Sequence, residues 1–242
     1  MRALFPISLS NQAFSTNRVL PALPHVFTRY NEVVFLVADH LQLYNKALRV
    51  ADGLSLSRII REFTTNQHYR EQRSKWVQRM TSQMQSSGHS HWTLIGIDDI
   101  TDPKYFNIFR NVMLAYYSIP CFRNDVDRSA RWHAQQARNS HYSADRREQL
   151  SRGYILEEIA LSIRIHVINE IDDEYYMGQQ SPPIVNLYHG RYEFSAFDLA
   201  EMPNDGRLIR FYYLNGSDPQ SWTEQLPDQL DDGGISETLP SG

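Results

Sequence analysis

Tyr154 and Glu158 stand four residues apart in the stretch Tyr154-Ile155-Leu156-Glu157-Glu158. At about 100° per residue, a helix brings such a pair onto one face. Leu150, Leu161, Ile165 and Ile168 share that face, so an acid sits in an apolar stripe. An ionised carboxylate there costs roughly several kcal/mol unless it is paired or hydrogen-bonded. Two readings follow. Glu158 is either tied structurally to an arginine or a backbone amide, or kept as an anion for a cationic group such as the α-ammonium of an amino acid. Tyr154 would add a hydroxyl to the second task.

Ser8 ends an apolar opening segment and is followed by Asn11, a Ser-x-x-Asn, and then by Phe14-Ser15. A serine hydroxyl can act as an acyl-transfer nucleophile. A nearby Asn amide can hold a loop or the reacting ester. A serine at a strand end is more often a turn or cap residue, and no Gly-x-Ser-x-Gly elbow occurs anywhere in the chain. Tyr188-His189 closes a later apolar run; histidine is a natural proton shuttle, although a packed Tyr-His pair is the commoner case. His89, His91, His133 and His141 show no metal-ligand spacing, so no metal is expected. There is no Gly-x-Gly-x-x-Gly, no P-loop and no class I synthetase ATP signature, so neither a cofactor nor nucleotide activation is expected.

Six basic residues, Arg58, Arg61, Arg70, Arg73, Lys75 and Arg79, lie close together against only Glu62 and Glu71, with Tyr69 and Trp76 interleaved. They form either a solvated, ion-paired helix face or a contact for an RNA backbone, whose binding needs charge and no sequence code. The net charge is −4, yet six acids and no Lys or Arg fall between Asn215 and Gly242. The rest of the chain is therefore slightly basic.

The elements that must position these groups alternate. Arg2–Ser8, Val33–Ala38, Trp92–Ile97, Ile184–Tyr188 and Leu208–Leu214 read as strands. Helices are expected after Asp39, through the basic stretch, from Asp102-Pro103 to Tyr117, over Asp125–Ser140, over Ala144–Ile168 and over Phe194–Ala200. Residues 11–25 read as a loop. This order predicts a single α/β domain over residues 1–214, with a mostly parallel sheet covered on both faces. Residues 215–242 read as an acidic, flexible tail. Ligands of such sheets bind at strand carboxyl ends, where Ser8, Asp39, Tyr188 and His189 are expected. The longest apolar run, Val33–Ala38, is far too short to span a bilayer, and Pro6 and the polar residues after Ile7 interrupt any signal-peptide pattern. A single cysteine, Cys121, excludes an internal disulfide and a Cys-based zinc site, and fits a cytoplasmic setting.

Taken together, Ser8, Asn11, Tyr154, Glu158, Tyr188 and His189 make the chain resemble the cyclodipeptide synthases. The resemblance spans roughly Leu4 to Leu214, in motif order. It implies a Rossmann-like domain similar to the catalytic domain of class I aminoacyl-tRNA synthetases, without the ATP site. Asn11, Tyr188 and His189 match the residues that mark the family's Asn, Tyr, His subfamily. By the resemblance, Ser8 is the nucleophile, and Tyr154 and Glu158 hold the aminoacyl amino group. Tyr188 relays protons. Asn11 and His189 position the substrate, Leu4 and Leu161 line the first side-chain pocket, and the basic stretch contacts tRNA. Pro6 stands where the family commonly has Gly, and Pro offers no backbone N–H to the substrate. Residues 169–174 look like an insertion, with Tyr175 and Tyr176 as rivals to Tyr188. The implied partners are two aminoacyl-tRNAs, joined through a Ser-linked aminoacyl-enzyme and dipeptidyl-enzyme into a cyclic dipeptide. A monomer is expected. Two other classes compete: a non-catalytic tRNA-binding module of synthetase-like fold, and a serine-dependent hydrolase or acyltransferase acting on small esters.

Overall fold

The computed structural model describes residues 1–7, 16–37, 67–86, 88, 91–96, 99–136, 142–176, 180–214 and 221–227. Its frame is a six-stranded sheet. β1 (Arg2–Ile7), β2 (Glu32–Val37), β3 (Trp92–Gly96), β4 (Asp173–Tyr176) and β5 (Arg210–Tyr213) run parallel, and β6 (Thr223–Glu224) pairs antiparallel at the edge of β5. The strand order is β3-β2-β1-β4-β5-β6. The chain winds outward from β1 through β2 to β3, then crosses to the opposite side of β1 with β4. The β1/β4 junction is thus the topological switch point, where open α/β sheets place their ligands.

Helices cover both faces. One side carries α1 (Thr16–Val19), α2 (Leu23–Phe27) and α3 (Gln67–Ser86). Ala3, Phe5, Val33 and Phe35 point there and meet Val26, Trp76, Met80 and Met84. The other side carries α4 (Pro103–Ser118), α5 (Pro120–Gln136), α6 (Ala144–Ile168), α7 (Pro182–Tyr188) and α8 (Ala196–Leu199). Leu4, Val34 and Leu36 point to it and pack under Ile108, Val112, Ile159 and Ile163. The alternation along β1 and β2 is the period of two that a strand imposes on its side chains.

Helix starts follow their capping chemistry. Asp102 accepts from Tyr105 N (2.9 Å) ahead of Pro103 and clamps Arg164 of α6 with both carboxylate oxygens. Ser143 accepts from Arg146 N at the start of α6 (3.3 Å). α6 ends where Glu170 turns to φ 55° and Ile171 N–H reaches back to His166 O (3.0 Å), a Schellman-type stop that feeds the chain into β4.

Five readings need correction. Residues 184–188 are the helix α7, because Ser181-Pro182-Pro183 starts a helix and a short apolar run does not tell strand from helix. The segment read as an insertion supplies the first residues of β4. The two acids within β4 are buried with partners: Arg210 forks onto Asp173, and His166 lies against Glu174. Within the segment read as a loop, residues 16–25 are helical, and Pro21 and Pro24 stand in the first turns of two of these short helices. α5 starts at Pro120, five residues before Asp125, and ends at Gln136. Part of the acidic segment after residue 215 forms β6. No helix among the described residues is long and apolar enough to cross a membrane.

Candidate active site

Glu158 lies inside the domain, beneath the β4 side of the sheet. Tyr154 Oη donates to its Oε1 (3.1 Å), and Ser181 Oγ donates to its Oε2 (2.6 Å). The two are predicted to share a helix face, and they do. Ser181 caps the turn into α7, so α6 and α7 grip one carboxylate between them. No Arg, Lys or His pairs with Glu158 among the described residues, and its bonds go to hydroxyls rather than to a backbone amide. Among the described residues, neither the arginine nor the backbone amide of the purely structural reading ties this acid.

Glu158, Tyr154, Tyr176, Ser181 and Tyr188 all keep partial solvent exposure despite their depth. Groups that line one recess behave this way. Burial lifts the Glu158 carboxyl to about 7, the Ser181 and Tyr154 hydroxyls pull it down, and the Glu174 carboxylate nearby pushes it up again. Burial likewise raises the phenols of Tyr154 and Tyr176, reinforced by the negative charge on Glu158. These phenols stay protonated and act as donors near neutrality.

Tyr188 ends α7 and His189 is its C-cap. They do not stand at a strand end, yet they come to the same side of α6. The Tyr188 ring meets the His166 ring edge-on at 5.4 Å. Burial pushes its phenol well up and the Ser162 hydroxyl lowers it. Tyr188 Oη and His189 Nε2 are sealed from solvent with no aligned hydrogen-bond partner among the described residues. Such atoms cost about 1–3 kcal/mol each unless a water or another polar group reaches them.

Leu4 and Leu161 belong to the core beside α6, 1% and 2% exposed respectively. Pro6 pairs with Leu36 within β1. Ser8, Asn11, Asp39, Arg58 and Arg61 lie outside the described residues, as does the side chain of Arg70. On α3, Lys75 and Arg79 are exposed. Arg73 turns inward: a side chain at Gly96, the last residue of β3, would meet its guanidinium at 3.1 Å. Trp76 is core, packed against Phe35, and does not serve as an aromatic platform on the basic face. Tyr175, a rival for Tyr188, faces the opposite side of the sheet and bonds Tyr30 (3.0 Å).

Sequence reasoning missed four polar residues here. His133 stacks flat on Tyr154 at 4.8 Å and its Nδ1 lies 3.1 Å from Ser151 Oγ. Ser181, Glu174 and His166 complete the set. Tyr154, Glu158, Ser162 and His166 recur every four residues along α6, a polar row in the sequence that would have pointed to His166.

No family model and no curated protein matches the sequence. Solved structures do match it. The structure of a CDPS from Fluoribacter dumoffii aligns with TM-score 0.67 and 15% identity over 87% of this chain and 88% of that one. A cyclodipeptide synthase from Streptomyces noursei aligns with TM-score 0.56 and 13% identity over 88% and 94%. A Mycobacterium tuberculosis protein, whose structure relates cyclodipeptide synthetases to type I tRNA synthetases, aligns with TM-score 0.59 and 18% identity over 87% and 83%. Across most of its length, the chain has the fold of these cyclodipeptide synthases.

Proposed function

We propose that this protein is a tRNA-dependent cyclodipeptide synthase. The observation that carries this reading is Glu158: an interior carboxylate, partly accessible, held by two hydroxyls and paired with no cation among the described residues. Such a group suits an α-ammonium, which it would bind by charge-assisted hydrogen bonds. The fold shared with cyclodipeptide synthases supports the same reading, as does the sequence resemblance carried by Ser8, Asn11, Tyr154, Glu158, Tyr188 and His189.

An aminoacyl ester is already activated, so the reaction needs no nucleotide. Ser8 Oγ attacks the ester carbonyl of the first aminoacyl-tRNA. The ester C–O bond breaks, the serine proton goes to the departing tRNA hydroxyl, and an aminoacyl-enzyme remains. Glu158 and Tyr154 orient its amino group. That amine, after losing a proton, attacks the second aminoacyl-tRNA and releases its tRNA hydroxyl, leaving a dipeptidyl-enzyme. The new terminal amine attacks the Ser8 ester; the ring closes, and the proton lost by the amine returns to Ser8 Oγ. Tyr188, with its high pKa and buried hydroxyl, serves the relay, and Asn11 and His189 position the substrate. Leu4, Pro6 and Leu161 border the first pocket. Lys75 and Arg79 present positive charge to tRNA, with Arg58, Arg61, Arg70 and Arg73 in the same basic region. Aminoacyl-tRNA as substrate implies the cytoplasm.

Expression in a bacterial cell, followed by mass spectrometry of the medium, tests the reading. Cyclic dipeptides are expected with the wild-type chain and none with Ser8→Ala. Equal product from both, or product from neither although charged tRNA is supplied to the pure protein, overturns it.

A further inference from the structure

His133 touches the site, yet the proposed reaction gives it no task. It stands in the last turn of α5, partly buried, and its imidazole lies flat on the Tyr154 phenol ring of α6. The ring centroids are 4.8 Å apart and the planes differ by 1°. Offset parallel stacking is a favoured aromatic geometry. In a flat stack the imidazole nitrogens point along their own plane, past the phenol oxygen rather than at it. The contact therefore hands no proton to Tyr154; it fixes where the phenol ring stands.

The imidazole is itself held. Its Nδ1 lies 3.1 Å from Ser151 Oγ. Ser151 is fully buried and precedes Tyr154 by three residues, on the same side of α6. Whichever of the two atoms donates, the bond pins the imidazole over the phenol.

Tyr154 needs such a hold. It keeps partial exposure, and its bond to Glu158 Oε1 is 3.1 Å, against 2.6 Å for the bond from Ser181. A tyrosine side chain turns about two torsions, and a small swing of the ring carries its hydroxyl off the carboxylate. The other groups that face Glu158 come from α7 and β4: Ser181, Tyr176 and the Glu174 carboxylate. α5 reaches the acid through the stack on Tyr154.

We propose that His133 is a positioning residue for the amine-binding carboxylate: pinned by Ser151, its ring holds the Tyr154 hydroxyl on Glu158. The inference rests on the reading of Glu158 given above, but its first test does not depend on turnover.

The full-length chain is labelled with carbon-13 at glutamate side-chain carboxyls, and Glu158 is identified by the signal lost in Glu158→Gln. Its titration midpoint is measured by NMR with and without Tyr154→Phe, in three backgrounds. In the wild-type background, Tyr154→Phe removes a hydroxyl that holds the Glu158 carboxyl down. The midpoint rises there by about one pH unit, tenfold in proton affinity. In the His133→Ala background the bond is already loose, and the same change alters proton affinity by less than about twofold. In the His133→Phe background, which keeps a flat ring over Tyr154, the full rise returns. Comparing Tyr154→Phe within each background cancels any change in hydration that the smaller side chain brings. Equal rises in the wild-type and His133→Ala backgrounds overturn the proposal. Should His133→Ala not fold, His133→Gln takes its place under the same criterion, since it reaches Ser151 but has no ring.

In single-turnover acylation, His133→Ala is expected to raise KM for the first aminoacyl-tRNA by about 10-fold, with the maximal rate within about 3-fold, and His133→Phe to restore KM. A wild-type KM in His133→Ala also overturns the proposal. A wild-type chain that takes no aminoacyl group from aminoacyl-tRNA refutes the proposed function instead, while the titrations still decide on His133.

Discussion

Ser181 Oγ donates to Glu158 Oε2 at 2.6 Å, so a residue just ahead of one helix fixes an acid in the middle of another. Hydrogen bonds to a charged group are worth about 1.5–3 kcal/mol. Ser181→Ala is therefore expected to raise KM for the first aminoacyl-tRNA by about 10- to 100-fold, with little change in the second. Because that bond lowers the Glu158 pKa, the variant also moves the acid limb of the pH profile upward. Single-turnover acylation across a pH series checks both.

Glu158 ionises near pH 7, and a substrate α-ammonium loses its proton near pH 8, about the ordinary value for an α-amino group. Capture of the first amino group needs the carboxylate charged and the amine still protonated. A bell-shaped dependence of acylation kcat/KM, centred between those values, is expected. Glu158→Gln removes the acid limb and lowers the peak by about 10- to 100-fold, the loss of one charge-assisted bond. A Glu158→Gln variant with wild-type rates would return this acid to a structural role.

The same acid burdens stability. Its folded pKa lies above the ordinary 4.5, so the unfolded chain releases the proton first as pH rises. Stability from this group is present below about pH 4.5 and is lost as pH climbs toward 7. Glu158→Gln should therefore gain on the order of 1–3 kcal/mol over wild type at pH 8, and almost nothing at pH 4. Thermal unfolding at both pH values measures it; equal gains at both would exclude the charge as the cause.

Ser8→Ala is expected to abolish both the cyclic product and the covalent adduct seen by intact-protein mass spectrometry, with an unchanged circular dichroism spectrum. Residual adduct in that variant would place the nucleophile elsewhere.

Lys75 and Arg79 are solvent-exposed on α3. Replacing both by Ala should weaken tRNA binding and make the slope of log K against log salt shallower by about 1–2, because each phosphate contact contributes about 0.7–0.9. A Kd series from low to high salt reads this directly, and an unchanged slope removes α3 from the tRNA surface.

Much of this was legible in the sequence because the signals were local. Ala144–Ile168 has a serine cap and a long apolar pattern, and the reading, to about Ile168, agrees with the helix found. β1, β2, β3 and β5 are short apolar or aromatic runs and fell within a residue or two of their readings. β4 was illegible because its first two residues are acids. Asp173 is buried only because Arg210 and Tyr30 meet it, and Glu174 only because His166 and Gln180 do. Arg210 and Tyr30 are remote in sequence, and His166 and Gln180 lie on either side of β4 outside it, so composition pointed to a solvated loop. The stop before it was hidden too, since Glu170 occupies the left-handed position where Gly would have announced a helix end. At the site, Tyr154 and Glu158 were found by helical spacing, whereas Ser181 reaches Glu158 through a tertiary contact that no local pattern encodes.

The edge of the sheet carries one further meaning. Gln225, just past β6, is fastened to β5 through its N–H to Phe211 O (2.8 Å), and its side chain accepts from Gln180 N (3.0 Å), next to Ser181. The smallest fragment able to hold Glu158, the proposed amine-binding acid, in place therefore includes Gln225. A chain cut at Leu214 would keep the parallel strands but release the turn that aims Ser181. Truncation there would blunt recognition of the first amino acid before it unfolded the domain.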